Sequence, residues 1–223
     1  FAAGLNADVV ALQEVENLAA VARVFPENNW DIILSQRPAS KTYSCRGSGF
    51  ESTQQRVAIA IRKGLTYEDL GSFEELALER EGLRYGVQIR IIGELDTVDV
   101  MAVHLKSGCF VNDFSSSDCS ACEVLEQQVP VLDHWIETHV SKKQKFVVLG
   151  DFNHRLANEE NKMWHIISEI QGAPLEISNS MQNLTGCHPR YPAPIDHILM
   201  GPEASRLKVA GSETVHYFPK KSG

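Results

Sequence analysis

Four short stretches end or interrupt apolar runs with residues that handle charge. Glu14 follows "DVVALQ", His104 and Lys106 close "DVMAVHLKS", Asp151 and Asn153 close "FVVLGDFN", and Asp196 sits within "IDHILM". In α/β arrangements the carboxyl ends of strands converge on one rim, and ligands bind there. A carboxylate from one strand end, joined by Asp and Asn from another, makes an oxygen-rich site suited to a hard cation such as Mg²⁺. Such a cation polarises a phosphoryl oxygen and stabilises the charge that develops on it.

Each residue also has a plainer role. Glu14 can favour the N-terminus of the helix that follows it, and His104 alone can be a satisfied strand-end histidine. Asp151 and Asn153 can form an Asx turn. Asp196 is harder to set aside, because a buried acid inside a strand needs a partner. His197 alternates to the opposite face of that strand. The chemical reading therefore rests on the four stretches together.

The elements that must position them follow from pattern. "DVVALQ" (8–13), "WDIILS" (30–35) and "RVAIAIRKG" (56–64) read as strands, and "ENLAAVARVF" reads as a helix stopped by Pro26. Residues 66–83 are polar and acidic with no clean period, which predicts mostly loop. "RYGVQIRII" and "DTVDVMAVHL", joined by "GEL", form a hairpin signal. Leu125, Val129, Leu132, Ile136 and Val140 recur at helical steps, with Pro130 expected to bend or break that helix near its first turns. Phe146 to Leu149 is a strand, and "NEENKMWHIISEIQG" is a helix with Gly172 past its end. "IDHILMG" and "RLKVAGSETVHYF" supply late strands. Hairpins mixed with strand–helix alternation, and no repeat or long linker, predict one domain over 1–223. Its expected form is two mixed β-sheets packed face to face with helices outside.

Composition narrows the classes. No segment reaches the apolar length needed to cross a bilayer. A net charge of −8, from 21 Lys and Arg against 29 Asp and Glu, disfavours affinity built on broad phosphate neutralisation. It leaves room for a local basic lip at a cleft. The start "FAAGLNADVV" lacks the basic flank of a signal peptide, and Phe1 suggests a piece of a longer protein. Cys119 and Cys122 have CxxC spacing, but no second pair follows, and a Ser-rich loop rather than a strand precedes them, so zinc and thioredoxin-type chemistry are disfavoured. Four of the five cysteines lie in loop-like stretches, which suits disulfides in an oxidising compartment and equally suits scattered thiols. Cys109 is placed to pair with Cys119 or Cys122, and Cys45 with Cys187.

"ALQEVEN", "VHLKS", "VVLGDFN" and "IDHILM", in this order, resemble the motifs of the endonuclease/exonuclease/phosphatase superfamily of deoxyribonuclease I-like proteins. The resemblance spans nearly the whole chain and implies a four-layer α/β sandwich. It implies a metal carboxylate at Glu14 and a water-orienting or water-deprotonating Asp151. It also implies a phosphate-holding Asn153, a phosphate- or leaving-group-contacting His104, and Asp196 as the acid that orients a catalytic histidine. The implied cofactor is Mg²⁺, with Mn²⁺ or Ca²⁺ as alternatives. Arg56, Lys106 and His154 are the substrate-side candidates, ranked above Arg46, Arg155 and Arg190. The family's opening Asn strand and closing Ser-Asp-His motif are not found, which suggests a domain trimmed at both ends and a slow or inactive chain. The expected function is a Mg²⁺-dependent, nuclease-like phosphodiester hydrolase, with nucleic acid as first substrate and a monomer as working form. The alternatives are a phospholipid or phosphoinositide phosphoesterase and, from another class, a catalytically silent binding domain. The five core residues are expected to line one cleft. Family and loop cysteines together suggest a secreted or periplasmic bacterial protein, otherwise a cytoplasmic one.

Overall fold

A computed structural model describes residues 2–45, 47, 49–170, 172–187 and 190–217, which fall into two units, Phe1–Leu105 and Lys106–Gly223. Arg46 lies outside the described residues. In the first unit come β1 (Val9–Val15), α1 (Leu18–Ala22), β2 (Trp30–Leu34) and β3 (Arg56–Arg62), with the strands antiparallel in the order β1-β3-β2. Central β3 is covered on both faces, so Val57 through Ile61 are fully buried and the strand reads as a continuous apolar run. Ala58 and Ala60 join a cluster with Val15, Val21, Phe25 and Trp30. Alternation sends Val57, Ile59 and Ile61 to the other face, against β5 and β6.

β4 (Thr66–Phe73), β5 (Gly86–Ile92) and β6 (Thr97–His104) form an antiparallel meander. The β5–β6 hairpin occurs where the sequence signals it, closed by Gly93 N–H donating to the Asp96 carbonyl. The loop expected over 66–83 is corrected: its first eight residues are β4. This strand pairs only with β5 in this unit and carries a bulge between Asp69 and Gly71. An edge strand tolerates charge and irregularity, and that hides its period. Helix α1 is shorter than expected. The Asn17 side chain caps it by accepting from Ala20 N–H, and Val24 and Phe25 N–H both turn onto the Val21 carbonyl. That turn sets Phe25 edge-on to Trp30, with ring centroids 5.0 Å apart.

The second unit contains α2 (Ser120–Ser141), β7 (Phe146–Asp151) and α3 (Lys162–Ser168). A short ladder of β8 (Glu169–Ile170) and β9 (Ala173–Pro174) follows, then β10 (Ser178–Asn179), β11 (Asp196–Met200) and α4 (Pro202–Ser205). β11 lies antiparallel between β7 and β10. Pro130 does not break α2, which spans 22 residues. Its ring is on the exposed face, where water can take the carbonyl that proline leaves without a donor. Helix α3 begins only at Lys162, because the Asn161 side chain caps it on Trp164 N–H. The late strand expected in "RLKVAGSETVHYF" is not formed among the described residues, 206–217. Gly211 at φ 73, the Ser212-to-Val209 backbone bond and a Lys208–Glu213 ion pair fold that stretch into a turn.

Candidate active site

In the first unit, Glu14 owes its position to a bulge. Leu12 pairs with Ala58 and Val15 with Arg56, so Gln13 and Glu14 together oppose the single residue Val57. Bulges re-aim side chains and favour active-site margins. Glu14 takes φ 56, a left-handed conformation that costs a residue with a Cβ, and its side chain is exposed. Gln55 Nε2 donates to Glu14 Oε1 at 3.4 Å, and the Arg84 guanidinium donates to Gln55 Oε1. Arg56, at the head of β3, donates to the backbone carbonyls of Arg37 and Glu16. His104 ends β6 only 4% exposed. Burial, and secondarily Arg84, pushes its pKa down to about 4, so the ring is neutral at neutral pH.

In the second unit, β7 ends on Asp151, whose Oδ1 accepts the Asn153 N–H at 2.7 Å. The Asx turn therefore exists. Its effect is to hold Asn153 at φ 52 and 6% exposed, a second left-handed residue among the motif positions. Asp196 is the cross-strand partner of Asp151, so two acids stand opposite each other at the ends of β7 and β11. Facing like charges are unfavourable in a plain ladder.

Asp196 corrects the expectation of a buried acid: by surface area it is exposed at the first position of β11. The protein around it still raises its carboxyl pKa by desolvation. The exposed area decides that no unpaired acid is buried here.

The buried polar residue of that strand is His197, 1% exposed. Its Nε2–H donates to the His154 carbonyl at 2.9 Å, and Nδ1 faces the Asn179 amide nitrogen at 3.1 Å. Burial pushes its pKa down to about 4. His197 thus ties the loop after β7 to β11. His154, expected on the substrate side, is 1% exposed, with Nδ1 at 3.1 Å from the Cys109 carbonyl and its ring stacked on Phe114. Burial lowers its pKa too. Lys106 is half-buried, its N–H held by Gln128 and its ammonium donating to the Ser107 carbonyl at 2.7 Å. Arg155 lies over the Phe110 ring. Cys109 bridges Cys122, one of its two expected partners. Cys187, expected to bridge Cys45, is an exposed thiol.

A family model described as the Endonuclease/Exonuclease/phosphatase family matches residues 2–216. The chain belongs to that family. Membership agrees with solved structures of low identity. Humanized TDP2 of D. rerio aligns with TM-score 0.57 at 14% identity, over 89% of this chain and 72% of that one. The human Nocturnin catalytic domain, with bound sulfate, aligns with TM-score 0.57 at 11% identity, over 90% and 71%. The Neisseria 3′ phosphatase NExo, bound to a product DNA hairpin, aligns with TM-score 0.55 at 16% identity, over 87% and 76%. No curated protein is similar to the chain in sequence. The expected α/β sandwich of this endonuclease/exonuclease/phosphatase member is thereby established.

Sequence reasoning missed three polar residues: Gln55, which touches Glu14, Arg84, which holds Gln55, and Arg37, which lies near Arg84 and Arg56. Arg84 is visible as a cation opening a strand, but nothing local links it to Glu14. Among the described residues no group of three His, Cys, Asp or Glu side chains gathers into a metal cage, the arrangement of a closed zinc site. The exposed carboxylate of Glu14 fits Mg²⁺ better, since that ion takes one or two carboxylates and keeps several waters.

Proposed function

We propose that this chain is a Mg²⁺-dependent phosphodiester hydrolase acting on nucleic acid by in-line attack of water. The observation that most supports it is the left-handed backbone of Glu14 and Asn153, the motif residues assigned to metal and phosphate, at φ 56 and 52. Strain of this kind, held against its cost, clusters at functional sites.

Glu14 would hold the cation, which when bound polarises the phosphoryl oxygen. Asp151 orients the attacking water and accepts its proton. Asn153, fixed by the turn on Asp151, donates its side-chain amide to the scissile phosphate. His104 stays neutral at working pH, so it donates a hydrogen bond to phosphate rather than a proton to the leaving group. Asp196 would orient the histidine of a closing Ser-Asp-His motif, which this sequence does not contain, and Arg56 and Lys106 carry positive charge toward the substrate. The burial of His154 favours a supporting role behind the loop it shares with Asn153.

The DNA product held by the Neisseria neighbour favours nucleic acid over lipid. The Cys109–Cys122 bridge favours an oxidising compartment, secreted or periplasmic. The test is hydrolysis of DNA, RNA, phospholipid and phosphoinositide with Mg²⁺, Mn²⁺ or Ca²⁺, before and after chelation. Cleavage of DNA or RNA that chelation abolishes is the expected result. Hydrolysis of lipid substrates alone overturns the nucleic-acid assignment, and hydrolysis of none overturns the enzyme.

A further inference from the structure

Some cations of this chain pair with carboxylates. Arg62, Lys63, Arg90, Lys162, Arg206 and Lys208 each do so. Arg37, Lys41 and Arg56 meet no carboxylate with their side chains among the described residues, and all three lie in the stretch from Arg37 to β3. Arg37 is the most telling. It is 5% exposed, and its guanidinium donates only to neutral groups: the Gly82 and Leu83 carbonyls, Ser40 Oγ and Gln54 Oε1. Its Nε has no partner among the described residues. Burial, then Arg84 and Arg56, lowers its pKa, as expected for crowded guanidinium groups. A desolvated cation without a counter-charge is costly, and an anion arriving beside it offsets that cost.

A cleft of about 320 Å³ opens at this point. Arg37, Lys41, Tyr43, Ser52, Thr53 and Gln55 line it, together with Gly82, whose carbonyl accepts from Arg37, and Glu81, whose carboxylate accepts the Lys41 backbone N–H at 3.4 Å. The hydroxyls and cations are donors suited to phosphate oxygens. Tyr43 is 63% exposed, which leaves a ring face open for stacking. Described residues on both sides of Tyr43 are tied together by hydrogen bonds. Gln54 grips the Ser40 N–H and carbonyl, and Tyr43 and Ser52 exchange bonds across the Ser44–Glu51 bridge. Gln55 both lines the cleft and donates to Glu14, so the cleft adjoins the proposed metal carboxylate.

We propose that this cleft binds a single nucleic-acid strand next to the scissile phosphodiester, a flanking phosphate lying on Arg37 and Lys41 and a base stacking on Tyr43. The inference rests on the reading of Glu14 as part of a phosphodiesterase site and adds the subsite that selects an extended strand over a small diester. Phosphate contact plus an aromatic platform is how single strands are held without base readout.

The test uses the full chain in EDTA, where no turnover occurs, with a short fluorescein-labelled oligothymidylate across a salt series. Lys41→Ala and Tyr43→Ala alter exposed side chains, so the fold should survive, and circular dichroism checks it. Lys41→Ala should weaken binding and flatten the slope of log affinity against log salt by roughly 0.7. Tyr43→Ala should weaken binding roughly five- to a hundredfold with the salt slope kept, and Tyr43→Phe should restore it. Turnover of bis(p-nitrophenyl) phosphate with Mg²⁺ should be unchanged in all three, since that diester is too short to reach the cleft. Wild-type affinity and slope in both alanine variants overturns the proposal, as does absence of oligonucleotide binding by the parent chain. Variants that lose binding to phosphoinositide vesicles but keep the oligonucleotide overturn it in favour of a lipid surface. Failure of the catalytic reading shows separately, as no turnover of the small diester by the parent chain.

Discussion

At the scale of single residues, the carboxylates near the strand ends have different proposed roles, and conservative amides separate them. Asp151→Asn keeps an oxygen to accept the Asn153 N–H, so the turn and the fold should persist. Only the charge proposed to activate water is removed. Turnover should fall by orders of magnitude with the melting temperature nearly unchanged, measured by single-turnover assay and calorimetry. Glu14→Gln removes charge from the proposed metal ligand and keeps the contact with Gln55. Its main effect should be a rise in the Mg²⁺ concentration for half-maximal activity and weaker Mn²⁺ binding by calorimetry. Equal metal affinity in this variant would remove Glu14 from the metal's coordination.

At the scale of elements, two helix contacts control the second unit. Gly201 caps α4 at φ −64, a conformation open to any residue, yet a Cβ there would run into the Phe146 ring. Gly201→Ala should therefore destabilise by about 1–3 kcal/mol through overpacking, read by urea unfolding. Phe146→Leu should recover part of that loss in the double variant. On α2, Asp133 is half-buried, and its Oδ1 has no hydrogen-bond partner among the described residues. Burial, then Glu137 one turn away, pushes its pKa up to about 6. A carboxyl raised in the folded state favours the protein while neutral, and that advantage is lost as pH rises through about 6. Asp133→Asn should raise the melting temperature at neutral pH and leave it unchanged below the unfolded carboxyl's pKa.

At the scale of the molecule, acid should act mainly through buried histidines. His104 and His197 have pKa values lowered to about 4, and burial lowers His154 as well. The unfolded chain takes up protons near the ordinary imidazole value of 6.5 while the fold resists them, so unfolding gains protons between those limits. Stability should be full above about pH 6.5 and fall as pH drops toward about 4, Asp133 opposing in part. Denaturant midpoints across that window check the sign, and His197→Gln should flatten the fall. The Cys109–Cys122 bridge closes a short loop ahead of α2 with a sequence separation of 13. Its reduction should cost about 3 kcal/mol in the chain-entropy model, measured as a shift in the urea midpoint. Peptide mapping that fails to find this bridge would withdraw the support for an oxidising compartment.

Local pattern alone determined much of this protein. The apolar runs that became β1, β2, β3, β5, β6, β7 and β11, the α2 face and the four polar-ended motifs all follow from residue type and period. Period is a property that neighbouring residues share. What pattern could not reveal depends on groups distant in sequence. The bulge that turns Glu14 outward exists because β1 and β3 differ by one residue between their paired ends. The exposure of Asp196 beside a buried His197 depends on the position at which β11 enters its sheet. Edge strand β4 has no buried face strong enough to impose alternation, so its sequence reads as loop. The cluster of Arg37, Arg56 and Arg84 joins a loop, a strand start and a segment ahead of β5, with no spacing to announce it. Only the tertiary structure brings those charges together, because burial and electrostatic crowding are set by distance in space, not by order along the chain.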